Sequence, residues 1–435
     1  MRRKQREAPW TVLRLLKQYE TPYNHTMKVW IKYLIGSVLG CLCAFLIPFD
    51  EAVTNNALFF IAEIVIRIGR YAVVPLVSTT AALAVFKLVQ AKLFWRTALW
   101  TGIVLVASAL LLTFIGINAI LIVKLPRIPI TADTATTSVT LGLSDGVRAL
   151  FPYSSFETLG NGTFLCAALL FSGIIGAVLA TDDATFRPII TLIDVLSKLF
   201  YTIACVIMEI LSIGMIAIMC CWTVQFRVVI ASGIFVPLIV LLTIVLLIVA
   251  VIVYPLITYI LCHEPKPYRI LYAGITPLLV AFFSGDANFT LPYIIRHGKE
   301  SIGIRRRSNG SVIPFLSICA RSGSALVAVV SFVIIWRSYS DLPMPFSTLL
   351  WLLSLSFLFS FVLGNVPTGG AFTVVSVLCA LYGRGFEAGY LLLRPALLIL
   401  NSFAAAFDAL TVLYGSYIVG IKTRLVIRHT IPHFI

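Results

Sequence analysis

The chain has 435 residues, 60% of them hydrophobic and 12% charged, about half the charged share of an ordinary soluble domain. Many windows exceed the ~20 apolar residues that cross a bilayer, which excludes a soluble enzyme and predicts an all-α, polytopic membrane protein. The net charge of +15 does not point to nucleic acid, because excess Lys and Arg in a membrane protein marks cytoplasmic loops.

The N-terminal stretch MRRKQREAPWTVLRLLKQYE has no continuous apolar core of the kind found in a cleaved signal. Trp10, Leu13 and Leu16, interleaved with basic residues, predict an interfacial segment over residues 1–26. Spanning helices are expected at 27–49, 56–91, 96–124, 160–181, 187–222 and 226–262. The Thr-rich segment 125–159 reads as an external loop. The basic N-terminus is expected inside, Asp50 and Glu51 outside, and Lys92 and Arg96 inside again. The nine cysteines lie mostly in apolar runs and match no metal or disulfide spacing; small buried hydrophobes are the simplest reading.

The alternation then breaks. Residues 270–283 are apolar but too few to span, and Ser284-Gly-Asp-Ala-Asn-Phe-Thr-Leu-Pro292 follows. Arg296, His297, Lys299 and Arg305–Arg307 then demand the inside again. A segment that enters and returns is a re-entrant hairpin, whose polar tip must be buried in protein or line a cavity. Residues 312–336 are expected to span outward. A second interrupted segment, 346–382, carries the tip Gly364-Asn-Val-Pro-Thr-Gly-Gly370. The last span, 389–421, ends in the basic tail IKTRLVIRHT, so both termini are expected in the cytoplasm. The sum is eight transmembrane helices plus two hairpins in an inverted repeat, a pattern associated with transporter sites at mid-membrane.

The helix after each hairpin carries a polar stripe at helical spacing: Ser317, Arg321, Ser324, Ala328 and Ser331 on one, Asn401, Ala404, Asp408, Thr411 and Gly415 on the other. Each stripe holds one charge. A lone buried charge is costly and an opposite pair is tolerated, so Arg321 and Asp408 are expected to form an internal ion pair.

These motifs, in their order and spacing over about residues 27–425, resemble the glutamate transporter family, the dicarboxylate/amino acid:cation symporters. Ala281–Pro292 resembles the family's first hairpin tip, Val366–Gly370 its second, and Phe151–Gly162 the stretch before its fourth helix. The resemblance implies a homotrimer in the cell (inner) membrane that works by an elevator motion. Helices over 27–91 and 160–222 would form a scaffold; 96–124 and 226–425 would form a transport domain gated by the hairpins.

The sequence departs from the family at its binding motifs. The sodium-binding Asn-Met-Asp-Gly-Thr is matched by Ala320-Arg321-Ser322-Gly323-Ser324. Hard cations need several oxygen ligands, and a guanidinium would repel sodium. In the last helix the amine-binding Asp falls on Asn401 and the side-chain-reading Arg on Ala404; Asp408 falls on the family's Asn or, in a rival register, on its final Asp. Arg321 therefore has three readings: a built-in replacement for the bound cation, a grip on an anionic substrate, or a structural ion pair.

The expected function is secondary active transport of a small organic solute, a carboxylate above others, without sodium coupling and with proton coupling or exchange. The alternatives are a sodium-coupled dicarboxylate or amino-acid symporter with an atypical cation site, or a transport-incompetent anion channel or sensor. Candidate substrate-binding residues are Asp286, Asn288, Thr290, Arg321, Ser324, Asn365, Thr368, Asn401 and Asp408, with Asn365 and Thr368 shaping the gate. No nucleophile–base pair, metal cluster or phosphate loop points to an enzyme or a cofactor.

Overall fold

The computed structural model describes residues 28–46, 52–123, 125–129, 154–160, 165–340, 344–363, 366, 369–427 and 434. The interfacial segment 1–26 and most of the loop 125–159 lie outside them, as do Asn365 and Thr368. Among the described residues, seven helical stretches are long and apolar enough to cross a membrane. Apart from an isolated antiparallel bridge between Ile304 and Val426, the described residues are helices and their connections.

The first helices are α1 (Val29–Leu46), α2 (Ala52–Arg70), α3 (Val73–Gln90) and α4 (Phe94–Ile122). The span expected as one helix over 56–91 opens at Tyr71–Ala72, between α2 and α3. Pro75 has no N–H to donate to the turn before it, so the ladder parts one turn upstream.

A short α5 (Ser155–Gly160) precedes α6 (Leu165–Leu179). With 15 residues, α6 rises only about 22 Å, so it is not among the seven stretches of spanning length found in the described residues.

The next helix corrects an expected boundary. In place of two helices parting near 222–226, α7 runs unbroken over Arg187–Ala231, 45 residues. Its polar residues here are satisfied within or beside the helix. Thr223 donates back to the Met219 carbonyl at 2.8 Å, and Arg227 donates to the Ala44 carbonyl at 3.2 Å. The chain turns only at Gly233, whose φ of +69° a side chain would resist. Beyond it come α8 (Val236–Ile248), a π-helical turn (Val249–Val253) ahead of Pro255, and α9 (Tyr254–Cys262).

A short α10 (Tyr268–Ala273) leads into α11 (Ile275–Ser284) and α12 (Ala287–His297), joined by the two-residue turn Gly285-Asp286. A π turn (Gly298–Ile302) follows, then α13 (Arg306–Cys319) and α14 (Ser322–Tyr339). The expected continuous helix over 312–336 is thus broken at Ala320 and Arg321. The second interrupted segment gives α15 (Phe346–Val362) and α16 (Gly370–Tyr382). A 3-10 stretch (Gly389–Ala396) opens α17 (Leu397–Lys422).

Burial separates two kinds of helix. In their most apolar windows, the stretches Arg306–Tyr339 and Gly389–Lys422 are 94% and 83% buried, whereas those of α1 and α7 are 33% buried. So α13, α14 and α17 form the core. The outer helices present apolar rows outward, such as Leu192, Val195, Leu199 and Val206 on α7. In its first half and at its midpoint α7 is tied inward by charge: Asp194 meets Arg306 at 3.0 Å, and Glu209 meets Lys32 at 2.6 Å and Arg296 at 3.1 Å.

Candidate functional site

The first tip is built from its turn outward. Gly285 closes α11 in the left-handed region, at φ +63°. Asp286 is extended and caps α12, its Oδ1 accepting from the backbone N–H of Asn288 at 2.8 Å and of Phe289 at 3.1 Å. Such a cap satisfies two of the first-turn donors that have no partner within the helix. Thr290 Oγ1 returns a bond to the Asp286 carbonyl at 2.6 Å. The other Asp286 oxygen faces the guanidinium of Arg70, at the end of α2, in an ion pair in which the carboxylate is fully buried. The side-chain amide nitrogen of Asn288 is buried without a hydrogen-bond partner.

Sequence reasoning missed Arg70. The signal was present: Glu63 and Arg67 sit one turn apart and pair with each other at 2.6 Å, which leaves Arg70 as the charge on α2 without a local partner.

The break between α13 and α14 is the second component. Ala320 (φ −91°, ψ 70°) and Arg321 (φ −87°, ψ 42°) leave helical geometry. Arg321 therefore stands at the mouth of α14 rather than within a continuous stripe, while Ser317, Ser324 and Ser331 are all buried. The backbone N–H groups at the start of α14 have no helical partners, and the carboxylate of Asp408 on α17 supplies one. Gly323 N–H donates to Asp408 Oδ1 at 2.7 Å, and Ser324 Oγ donates to Oδ2 at 3.0 Å. Asp408 acts as an N-cap from a neighbouring helix, and its charge complements the positive end of the α14 dipole.

The approach depends on a missing side chain. A Cβ on Gly323 would stand 2.4 Å from Phe407 Cβ, 2.6 Å from the Ala404 carbonyl oxygen and 2.7 Å from the Asp408 nitrogen. Behind the cap a hydroxyl chain continues, with Tyr254 OH 2.6 Å from Thr411 Oγ1, itself 3.2 Å from Ser322 Oγ.

Arg321 is held more loosely. Its Nη1 lies 3.6 Å from Asp408 Oδ2 and its Nη2 donates to the Val366 carbonyl, in the second tip, at 3.4 Å. Its Nε is buried with no hydrogen-bond partner.

Asn401 stands between the two tips. A Cβ on Gly285 would lie 3.5 Å from Asn401 Cβ, and one on Gly369 would lie 4.0 Å from its Nδ2. Asn401 Oδ1 has no hydrogen-bond partner. One residue on, Ser402 Oγ accepts from the Trp222 indole N–H at 2.9 Å, which joins α17 to α7. The structure thus gathers Arg321, Ser324, Asn401 and Asp408 with the two tip turns. Asp286 and Thr290 are engaged in the backbone of the first tip, and Asp286 in the pair with Arg70. Among the described residues no group of three or more His, Cys, Asp or Glu side chains is arranged to hold a metal ion.

Comparison with known proteins gives two results. The sodium:dicarboxylate symporter family matches residues 29–420. The neutral amino acid transporter B(0) of Macaca fascicularis is 29% identical over 126 residues, 29% of this chain and 23% of the relative. The Homo sapiens protein of that name gives the same identity and coverage, and that of Rattus norvegicus is 28% identical over 129 residues. The aligned part spans about a quarter of the length of these relatives.

Proposed function

The chain belongs to the sodium:dicarboxylate symporter family, and from that premise we propose that it carries a small organic carboxylate by an elevator motion that does not depend on sodium. Membership makes it a multi-pass membrane protein and a secondary active transporter. The rest of the reading is ours, and one observation carries it: the Arg321 guanidinium is buried beside the second tip, where it reaches the Val366 carbonyl, with its nearest carboxylate oxygen 3.6 Å away and its Nε unpartnered. A direct N–H···O bond spans about 2.7–3.2 Å, so the fork keeps donors to spare. A planar guanidinium receives a carboxylate with two parallel bonds.

Asn401, with a free amide oxygen between the tips, supplies a polar contact for the rest of the solute. Ala320 and Ser322 replace oxygen-rich sodium ligands, and a fixed cation beside them opposes a mobile one. Asp408 and Asp286 are the acidic groups available for a proton. The scaffold would comprise the helices over 27–91 and 160–222, the moving part 96–124 and 226–425, with Asn365 and Thr368 shaping the second gate and three copies assembling around the scaffolds.

A neutral amino acid is the second reading, favoured by the printed name of the relatives. Uptake of radiolabelled succinate and alanine into proteoliposomes, in sodium and in choline at matched pH, tests both. Saturable succinate uptake equal in the two salts is the expected outcome. Alanine uptake without succinate uptake would select the second reading. A steep rise with sodium would overturn the coupling assignment.

A further inference from the structure

We propose that the second arm of the first hairpin is latched along one face to α1, α2 and α7, and that this latch must open before the first tip can leave the expected scaffold. The face consists of Asp286, Phe289, Tyr293, Arg296 and Glu300, in steps of three, four, three and four. Such steps return to the same side of a helix. The row runs from the cap of α12 through the helix and into the π turn behind it.

Every member of the row meets a partner. Asp286 pairs with Arg70, the last residue of α2. The Phe289 ring lies so close to Gly69 that a Cβ there would stand 2.1 Å from it. Tyr293 packs edge-on against Tyr33 of α1 with the hydroxyls 2.8 Å apart, and Tyr33 donates onward to the Met208 carbonyl of α7 at 2.6 Å. Arg296 donates to one oxygen of Glu209 on α7 at 3.1 Å, and Lys32 of α1 donates to the other at 2.6 Å. Glu300 accepts from the Tyr201 hydroxyl of α7, and the Lys299 ammonium lies 4.1 Å from the centre of that tyrosine ring.

The receiving side is one platform. A Cβ on Gly36 would stand 2.6 Å from the Ser212 carbonyl oxygen, and one on Gly40 would stand 2.4 Å from that of Ile216. With α1 and α7 in backbone contact, Lys32 and Tyr33 move with Met208 and Glu209. Asp286, Phe289, Tyr293 and Tyr33 are all buried. An apolar seam slides by small steps at little cost. A buried polar group drawn off its partner costs about 1–3 kcal/mol, and a stranded buried charge costs more, so this seam is either docked or open. Because Asp286 both caps α12 and meets Arg70, opening the seam releases the first tip as well. The docking stands on these contacts alone, and its control of uptake rests on the transport reading above.

The test uses the full chain in proteoliposomes and a thiol already in place. Cys205 is free and half-buried, one turn from both Tyr201 and Glu209 on α7, and so faces the seam. Its modification by N-ethylmaleimide, followed by peptide mass spectrometry, reports opening whether or not any solute is carried. Tyr33→Phe should speed the modification roughly two- to tenfold, the effect of one hydrogen bond on an equilibrium, and Glu209→Gln should speed it further. Cys379, buried on α16, should keep its rate. The maximal rate of uptake of the probe that is carried, succinate or alanine, should rise in both variants with the half-saturating concentration unchanged, since Arg321, Asn401 and Asp408 are untouched. Unchanged modification of Cys205 in both variants would overturn the latch, and equal acceleration at Cys379, the mark of a loosened fold, would count against it. Faster modification with unaltered uptake would uphold the docking and overturn its control of transport. Absence of uptake of either probe would overturn the transport reading, with Cys205 still deciding the latch.

Discussion

Asp408 Oδ1 accepts a 2.7 Å hydrogen bond from the backbone N–H of Gly323, a residue of a different helix. This bond, rather than the ion pair, is the tightest hold on the Asp408 carboxylate, since Arg321 Nη1 stands 3.6 Å from it. A charge that caps a broken helix is held by backbone that cannot swing away. A charge that only faces it can be shared with a visitor.

The two partners should therefore differ in cost. Asp408→Ala strands the Gly323 N–H and the Arg321 cation together, and should destabilise by about 3–5 kcal/mol, the range for breaking a buried pair. Arg321→Ala leaves the carboxylate with two donors and should cost less than Asp408→Ala. The double variant should recover part of the summed loss. Unfolding of the detergent-solubilised protein for all four species gives the coupling; strictly additive losses, or a larger cost for Arg321→Ala, would contradict the assignment.

Gly323→Ala should be severe for a single methyl. Its new carbon would meet backbone atoms of α17 at 2.6 and 2.7 Å, and backbone does not rotate aside as a side chain does. A loss at or above the ~1–3 kcal/mol of ordinary overpacking is expected. The same unfolding assay reads it, and a neutral result would mean that α14 can slide away from α17.

The pair of Arg70 and Asp286 should behave as a buried unit. Arg70→Ala leaves a fully buried carboxylate on two backbone donors, and should cost about 3 kcal/mol or more. Combining it with Asp286→Asn removes the stranded charge while keeping an oxygen for the cap, so stability should return in part. Thermal melting of the single and double variants decides, and a double variant no more stable than Arg70→Ala would refute the pairing.

Asn401→Ala should separate binding from folding. Its amide oxygen has no partner to lose, so the melting temperature without solute should move little. The stabilisation that a saturating solute gives, about 2.7 kcal/mol at a hundredfold excess over Kd, should shrink sharply. A thermal-shift titration with succinate measures both in one experiment, and an unchanged shift would remove Asn401 from the site.

Much of the fold was legible because lipid demands long apolar helices, and the sequence carries them. The two interrupted segments and the charges at Arg321 and Asp408 stood out for the same reason: polar residues inside apolar runs are expensive. The break at Ala320–Arg321 was not legible, because a polar stripe at helical spacing continues through it and neither residue is Gly or Pro. What opens the helix is tertiary, a carboxylate from α17 that caps its second half. The length of α7 was misjudged for the opposite reason. Thr223 and Arg227 look like an ending, yet their bonds to Met219 and Ala44 satisfy them in place. Arg70 escaped because its partner lies more than 200 positions away, at Asp286.

The 45 residues of α7 have a consequence for the surrounding lipid. A helix of that length extends about 67 Å, more than twice a hydrocarbon core of about 30 Å. Its exposed apolar row from Ile189 to Ile213 alone covers about 36 Å, so the row fits the hydrocarbon only if α7 leans or the bilayer thickens around it. Because Asp194 and Glu209 fasten this helix to Arg306 and Arg296, a change of lean pulls on the segments that carry the first tip and the break. Acyl-chain length then becomes a mechanical input. Vesicles of short- and long-chain lipid would hold the same protein at different inclinations, and its turnover would follow membrane thickness even where its solute and ions are unchanged.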